Sequence, residues 1–177
     1  MRHLALALLL GSAATPSLAQ DDGPSASPLD PLAWIVGEWT DQSGDKEINL
    51  VCNWSGNRSF ITRQFTVRDK QGAPLMEGTQ VIGWDADQQR FRSWTFDSEG
   101  GFGESYWTQD GDRWLIKKTF TLNTGERASA LNVLTRVDDN TATWSSHNRE
   151  IGGRMMPSQP EVTIVRRNSQ AEEASDE

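Results

Sequence analysis

The chain has 177 residues, room for one ordinary domain, and sets 17 Lys and Arg against 25 Asp and Glu for a formal charge of -8. No run of Lys and Arg interrupts this acidity. Recognition of nucleic acid is therefore not expected, and an anionic membrane surface is disfavoured, because both draw on clustered cations. The only histidines are His3 and His147 and the only cysteine is Cys52. That excludes two-His metal sites, Cys-rich zinc sites and CxxC redox centres, and HExxH, P-loop, GxGxxG and GxSxG motifs are also absent.

Met1-Arg2-His3 is a short basic start, Leu4 to Leu10 is apolar, and Ser17-Leu18-Ala19 fits a small-x-small cleavage site. Residues 1–19 are expected to be a signal peptide cut before Gln20. The apolar run is too short to span a bilayer, so no membrane span is expected. Cleavage removes Arg2 and leaves 16 basic against 25 acidic residues in an exported chain, periplasmic or extracellular. Cys52 then has no intramolecular disulfide partner and is expected to be buried. Asn53-Trp54-Ser55 and Asn57-Arg58-Ser59 fit the glycosylation sequon, which matters only in a eukaryotic secretory host.

Residues 20–31 read as a flexible leader, 32–167 as one β-barrel domain and 168–177 as a disordered acidic tail. One helical turn is expected at 31–35. Beyond it, β-branched and aromatic runs recur between turn signals such as Gln71-Gly72-Ala73-Pro74, Glu99-Gly100-Gly101, Asp110-Gly111 and Asp138-Asp139-Asn140. Strands are expected at 37–42, 46–54, 58–68, 75–84, 90–98, 102–109, 112–122, 126–137, 140–149 and 161–167. About ten sequential strands joined by tight turns make an antiparallel meander, and closure removes its exposed edges. The fold class is all-β, an up-and-down, lipocalin-like barrel.

Alternation then assigns faces. Ile48, Leu50, Cys52 and Trp54 point inward, as do Ile61, Phe65, Val67, Met76, Ile82 and Trp84. If Gly100-Gly101 and Asp110-Gly111 are two-residue turns, Trp94 faces Trp107 and Trp107 faces Trp114. Phe96, Ile116 and Phe120 share that inner face, while Ser93, Thr95, Asp97, Glu104, Thr108 and Lys117 lie outside. The inward polar residues are then Arg63, Gln80, Arg92 and Lys118, joined by Asn148 if Asp138-Asp139 is a two-residue turn placing Trp144 inside.

Pro31-Leu32-Ala33-Trp34-Ile35-Val36-Gly37-Glu38-Trp39 contains a Gly-x-Trp that resembles the lipocalin (calycin) opening, in which a Trp closes the barrel floor. Residues 32–167 resemble an uncharacterised exported bacterial domain that often follows a SnoaL-like (nuclear-transport-factor-2-like) domain. The matching stretches are 78–85, 93–104 and 132–135. The resemblance implies a barrel and little chemistry, and this chain lacks the SnoaL-like half. Nitrobindin-type haem barrels are more distant; they use a His on the last strand, and 160–168 has none.

An inward Arg63 with Gln80 and Arg92 would hold a carboxylate bidentately, resembling the way fatty-acid-binding barrels hold acid head groups. Set against this is a structural ion pair or an Arg63 in water at the barrel mouth. The row of Trp94, Trp107 and Trp114 would stack on an aromatic or lipid ligand, or simply be core. Asp97 and Glu104 facing each other would be an acid pair, with Lys117 as the compensating charge. Haem through His147 is considered and set aside, because that His has outward parity and no nameable supporting partner.

The leading expectation is a non-enzymatic exported barrel that binds a small apolar or amphipathic ligand bearing an acidic group. Its ligand-binding residues are Arg63, Gln80, Arg92, Trp94, Trp107 and Trp114, with no catalytic residue, metal or cofactor assigned. The alternatives are an accessory domain that meets an exported protein partner through Phe60, Phe91, Phe102 and Tyr106, and a carboxylate-dependent enzyme using Asp97, Glu104 and Lys117.

Overall fold

A computed structural model describes residues 26–41 and 46–167. The expected signal peptide, the leader up to residue 25 and the acidic tail lie outside the described residues. After a 3-10 turn at Asp30–Ile35 come eleven strands: β1 Gly37–Asp41, β2 Lys46–Trp54, β3 Phe60–Asp69, β4 Pro74–Asp85, β5 Arg90–Asp97, β6 Phe102–Asp110, β7 Arg113–Thr121, β8 Arg127–Arg136, β9 Thr141–Ile151, β10 Arg154–Met156 and β11 Gln159–Arg166. Each strand from β1 to β8 pairs antiparallel with the next, β9 pairs with both β8 and β11, and β11 returns to β1. Ten strands thus close an up-and-down barrel, as expected, and β10 is a short hairpin extension of β9. Closure satisfies the backbone groups that edge strands would leave bare. Among the described residues no helix is long and apolar enough to cross a membrane.

The inner face of β2 to β4 follows alternation. Cys52 opposes Arg63, Ile61 opposes Ile82 and Arg63 opposes Gln80. Cys52, Ile61 and Ile82 are buried, and Cys52 is a free thiol, as its parity required. Trp107 and Trp114 are also inside, at 2% and 1% exposure. Their rings meet edge to face, with centroids 6.3 Å apart.

The β5 face is the reverse of the expectation. The turn after β5 is not the two-residue Gly100-Gly101 but a three-residue loop, Ser98-Glu99-Gly100, closed by Asp97 N–H donating to the Gly101 carbonyl. Gly100 takes the left-handed conformation this loop needs (φ 88°), and Asp97 Oδ1 accepts from the Glu99 and Gly101 amides. The extra loop residue changes the pairing parity. Trp94 now opposes Glu104, Phe91 opposes Trp107, and Phe96 opposes Phe102. Phe91, Ser93, Thr95 and Asp97 therefore point inward, while Arg92, Trp94 and Phe96 point outward. Between β6 and β7 the two-residue turn is Gly111-Asp112, one position later than expected. That displacement preserves parity, so Trp107 and Trp114 keep their places although Trp107 opposes Ile116 rather than Trp114.

One end of the barrel is plugged. The 3-10 turn lays Leu32 and Ile35, with Leu29 before them, against Trp39, Cys52, Ile61, Trp107 and Trp114, and leaves a void of only about 10 Å³ there. Trp39 Nε1 donates to the Ile35 carbonyl at 2.9 Å. Arg166, at the end of β11, lies over the Trp39 ring at 4.3 Å and donates to the carbonyls of Trp34 and Val36 (both 2.8 Å) and of Asp139 (3.1 Å). Gly37 has φ 124°, and a Cβ there would strike the Arg166 guanidinium, so the Gly-x-Trp motif reserves the space in which Arg166 latches the plug.

Arg166→Ala is expected to cost about 2–3 kcal/mol, since two charged hydrogen bonds to part-buried carbonyls, an exposed one and the cation–π contact go together. Urea denaturation should show a lower midpoint at unchanged slope. Arg113→Ala, which removes an exposed pair with Asp110, should move the midpoint little.

Candidate functional site

The opposite end is hollow. A cavity of about 310 Å³ opens there between the starts of β4 and β8 and the ends of β7 and β9. Its apolar walls are Met76, Phe120, Ala128, Ala130, Trp144 and Ile151, and its polar groups are Lys118, Asn132 and Ser146, with Arg149, Glu150 and Gln159 also contributing. Phe120 takes its place because Gly103 opposes it: a Cβ on Gly103 would run into the Phe120 ring.

Between plug and cavity runs a polar belt, displaced along each strand from the core residue beneath it. Arg63 follows Ile61, Gln80 precedes Ile82, Ser105 precedes Trp107, Lys118 follows Ile116, Asn132 precedes Leu134 and Ser146 follows Trp144. On β5 the belt is Ser93 and Thr95, which are 0% and 5% exposed. Small hydroxyls there leave room for the indole opposite. Ser93 Oγ accepts from Trp107 Nε1 at 2.9 Å and from Gln80 Nε2 at 3.0 Å, and the Gln80 amide also donates to Thr95 Oγ1 at 3.3 Å. Gln80 is thus held by two hydroxyls.

The belt carries two cations, Arg63 and Lys118, that form no direct ion pair with a carboxylate among the described residues. Arg63 Nε is buried with no hydrogen-bond partner, and its guanidinium lies 5.9 Å from the Trp107 ring centre, on the plug side of the belt. The Lys118 ammonium lies 4.2 Å from the Phe120 ring centre on the cavity wall. Burial pushes Lys118 below the ordinary lysine pKa, while the Asp97 carboxylate acts in the opposite direction. Uncompensated buried charge costs several kcal/mol, so the belt is a ready receptor for an anion or a strong acceptor.

Of the residues expected to bind a ligand, the structure brings Arg63 and Gln80 together as opposed partners on the inner face. Trp107 and Trp114 belong to the filled core between plug and belt. Arg92 and Trp94 do not join them. Arg92 lies outside, pairing with Glu104 at 2.5 Å and Asp85 at 3.4 Å, with its guanidinium 5.1 Å from Trp94. The acid pair is also dismantled: Asp97 faces inward, Glu104 faces outward, and Lys117 opposes Tyr106 rather than Glu104. Phe91 leaves the expected outer patch and packs between Trp84 and Trp114 (5.0 and 5.1 Å). His147 opposes Leu131 and is hydrogen-bonded to Ser145 Oγ at 2.9 Å. Trp144 lines the cavity, whereas Asn148 sits exposed at a β9 irregularity with φ 48°. Ser93 and Thr95, read as outward from the two-residue turn, are buried on the inner face, and Ser105, Asn132 and Ser146 went unassigned because short hydroxyl and amide side chains carry no inward signal of their own. Lys118 did carry one, through its parity with Ile116 and Phe120.

The Lys118 shift has a signed consequence for stability. The unfolded chain binds this proton more tightly than the folded barrel, so the penalty is full below the folded pKa and fades as pH rises to about 10.4, the unfolded value. Wild-type stability should therefore rise on the alkaline side relative to Lys118→Met, which should be the more stable at neutral pH. Urea midpoints of both proteins from about pH 7 to about pH 10 check this; parallel profiles would contradict a destabilised ammonium.

No protein-family model matches the chain, and no curated protein matches it. Among solved structures it is similar to the crystal structure of Rv2717c from M. tuberculosis, with a TM-score of 0.58 and 13% identity over 79% of this chain and 97% of that one. At that identity the likeness concerns the fold alone, a barrel of this architecture.

Proposed function

We propose that this protein is an exported, lipocalin-like barrel that binds a small amphipathic molecule by its acidic head group, without catalysis. The observation that carries the reading is the partition of the interior: a filled, plugged end, a cationic polar belt, and an apolar cavity open at the far end. A carboxylate at the belt would meet the Lys118 ammonium, with Asn132 and Ser146 on the same wall, and would give it the direct ion pair that it lacks among the described residues. The ligand's apolar part would then lie against Met76, Phe120 and Trp144. A volume of about 310 Å³ suits a ligand of on the order of ten non-hydrogen atoms. Export rests on the features of residues 1–19, the Gly37-x-Trp39 floor supports the lipocalin-like assignment, and the stretches 78–85, 93–104 and 132–135 support the likeness to an exported bacterial domain.

The test uses decanoate and decanol as probes, read by native mass spectrometry and by tryptophan emission. Decanoate should bind, and Lys118→Met should weaken it about tenfold, a loss of about 1.4 kcal/mol, with decanol affected far less. Equal loss for both probes, or no binding of decanoate, would overturn the proposal.

A second reading, an accessory protein-interaction domain, draws on the outer face. Phe60, Phe96 and Phe102 are 41%, 55% and 53% exposed there, with Phe96 directly opposite Phe102. Alanine at all three positions should abolish any association of the full chain seen by sedimentation; unchanged association would remove this reading.

A further inference from the structure

We propose that Lys118 is a carbonyl-capturing residue, whose amine condenses with an aldehyde seated in the mouth cavity to form an imine. This rests on the reading of that cavity as a ligand site and adds a covalent chemistry to it.

The chain has four lysines, and three of them, Lys46, Lys70 and Lys117, are exposed. Lys118 alone is placed on the cavity wall. Among the described residues its amine has no hydrogen-bond or salt-bridge partner; the Asp97 carboxylate acts on it electrostatically, while Asp97 Oδ1 accepts from the Glu99 and Gly101 amides. Its direct neighbours across the sheet are small, Ser105 on β6 and Ala130 on β8, which leaves room beside Nζ for a trigonal carbon. Asn132 and Ser146, paired across β8 and β9 on the same wall, supply donors for the oxygen of the adduct. The apolar walls would take the aldehyde's chain.

In the reaction the Nζ lone pair forms the C–N bond as the carbonyl π bond opens to a carbinolamine. The carbonyl oxygen then leaves as water with the two amine hydrogens, and C=N remains. Only the neutral amine attacks, and desolvation in an apolar pocket is the established means of supplying it near neutral pH. The burial that depresses Lys118 works in that direction.

The experiment treats the full chain with decanal and sodium cyanoborohydride, which reduces an imine to a stable decyl-lysine, and maps the label by peptide mass spectrometry. Lys118 is expected to carry at least tenfold more label than Lys46, Lys70 or Lys117, and decanoate should slow its labelling. Lys118→Arg, which keeps the charge, should remove the selective label, while Lys117→Arg should leave it. Even labelling of the four lysines overturns the proposal. Decanoate binding measured on the same preparation separates the two levels: binding without selective Lys118 labelling overturns the imine and leaves the cavity reading standing, and absence of both overturns both.

Discussion

The hydroxyl of Ser93 is the point on which the inner face turns. Fully buried, it accepts from the Trp107 indole and the Gln80 amide, and so ties β4, β5 and β6 together at the level where core gives way to belt. An unpaired buried indole N–H or amide would be costly. Satisfying both with one small side chain keeps the large ring inside without crowding. The three-residue loop at Ser98–Gly100 delivers this arrangement, because it brings Ser93 and Thr95 inward and sends Trp94 and Phe96 out.

The interior is therefore unequal along its axis. The plug end is closed by apolar packing from the 3-10 turn and latched by Arg166, whose guanidinium serves three carbonyls and one indole face. The far end has no corresponding plug among the described residues, and small residues on β8, Ala128 and Ala130, hold its wall back. Arg63 and Lys118 sit between the two regimes. Leu or Met in their places would extend the filled core, so cations there serve stability poorly.

Much of the barrel was legible in the residues. The ten barrel strands to within two residues at their ends, the turn before β1, the inward run of β2 to β4 and the burial of Cys52, Trp107 and Trp114 followed from alternation and turn chemistry, while the short β10 went unread. Arg63, Gln80 and Lys118 were legible as inward polar residues because their neighbours at period two are large and apolar. β5 was not, since Trp94 and Phe96 outweigh Ser93 and Thr95 in hydrophobicity and turn length there decides parity. A glycine pair is compatible with both a two-residue and a three-residue turn, and the choice is made by how β4 and β6 each register on β5.

What the chain determined by itself is local: period-two patterning, Gly, Asn and Asp at the turns, and a Gly-x-Trp floor whose glycine only makes sense beside a close neighbour. Those features specify an all-β meander that must close. Which residues share the belt was decided by tertiary structure, because Lys118, Asn132 and Ser146 meet only through strand pairing across β7, β8 and β9. Whether the barrel is hollow was decided there too. Cavity volume depends on how side chains from ten strands divide a common interior, and no single strand's sequence carries that sum.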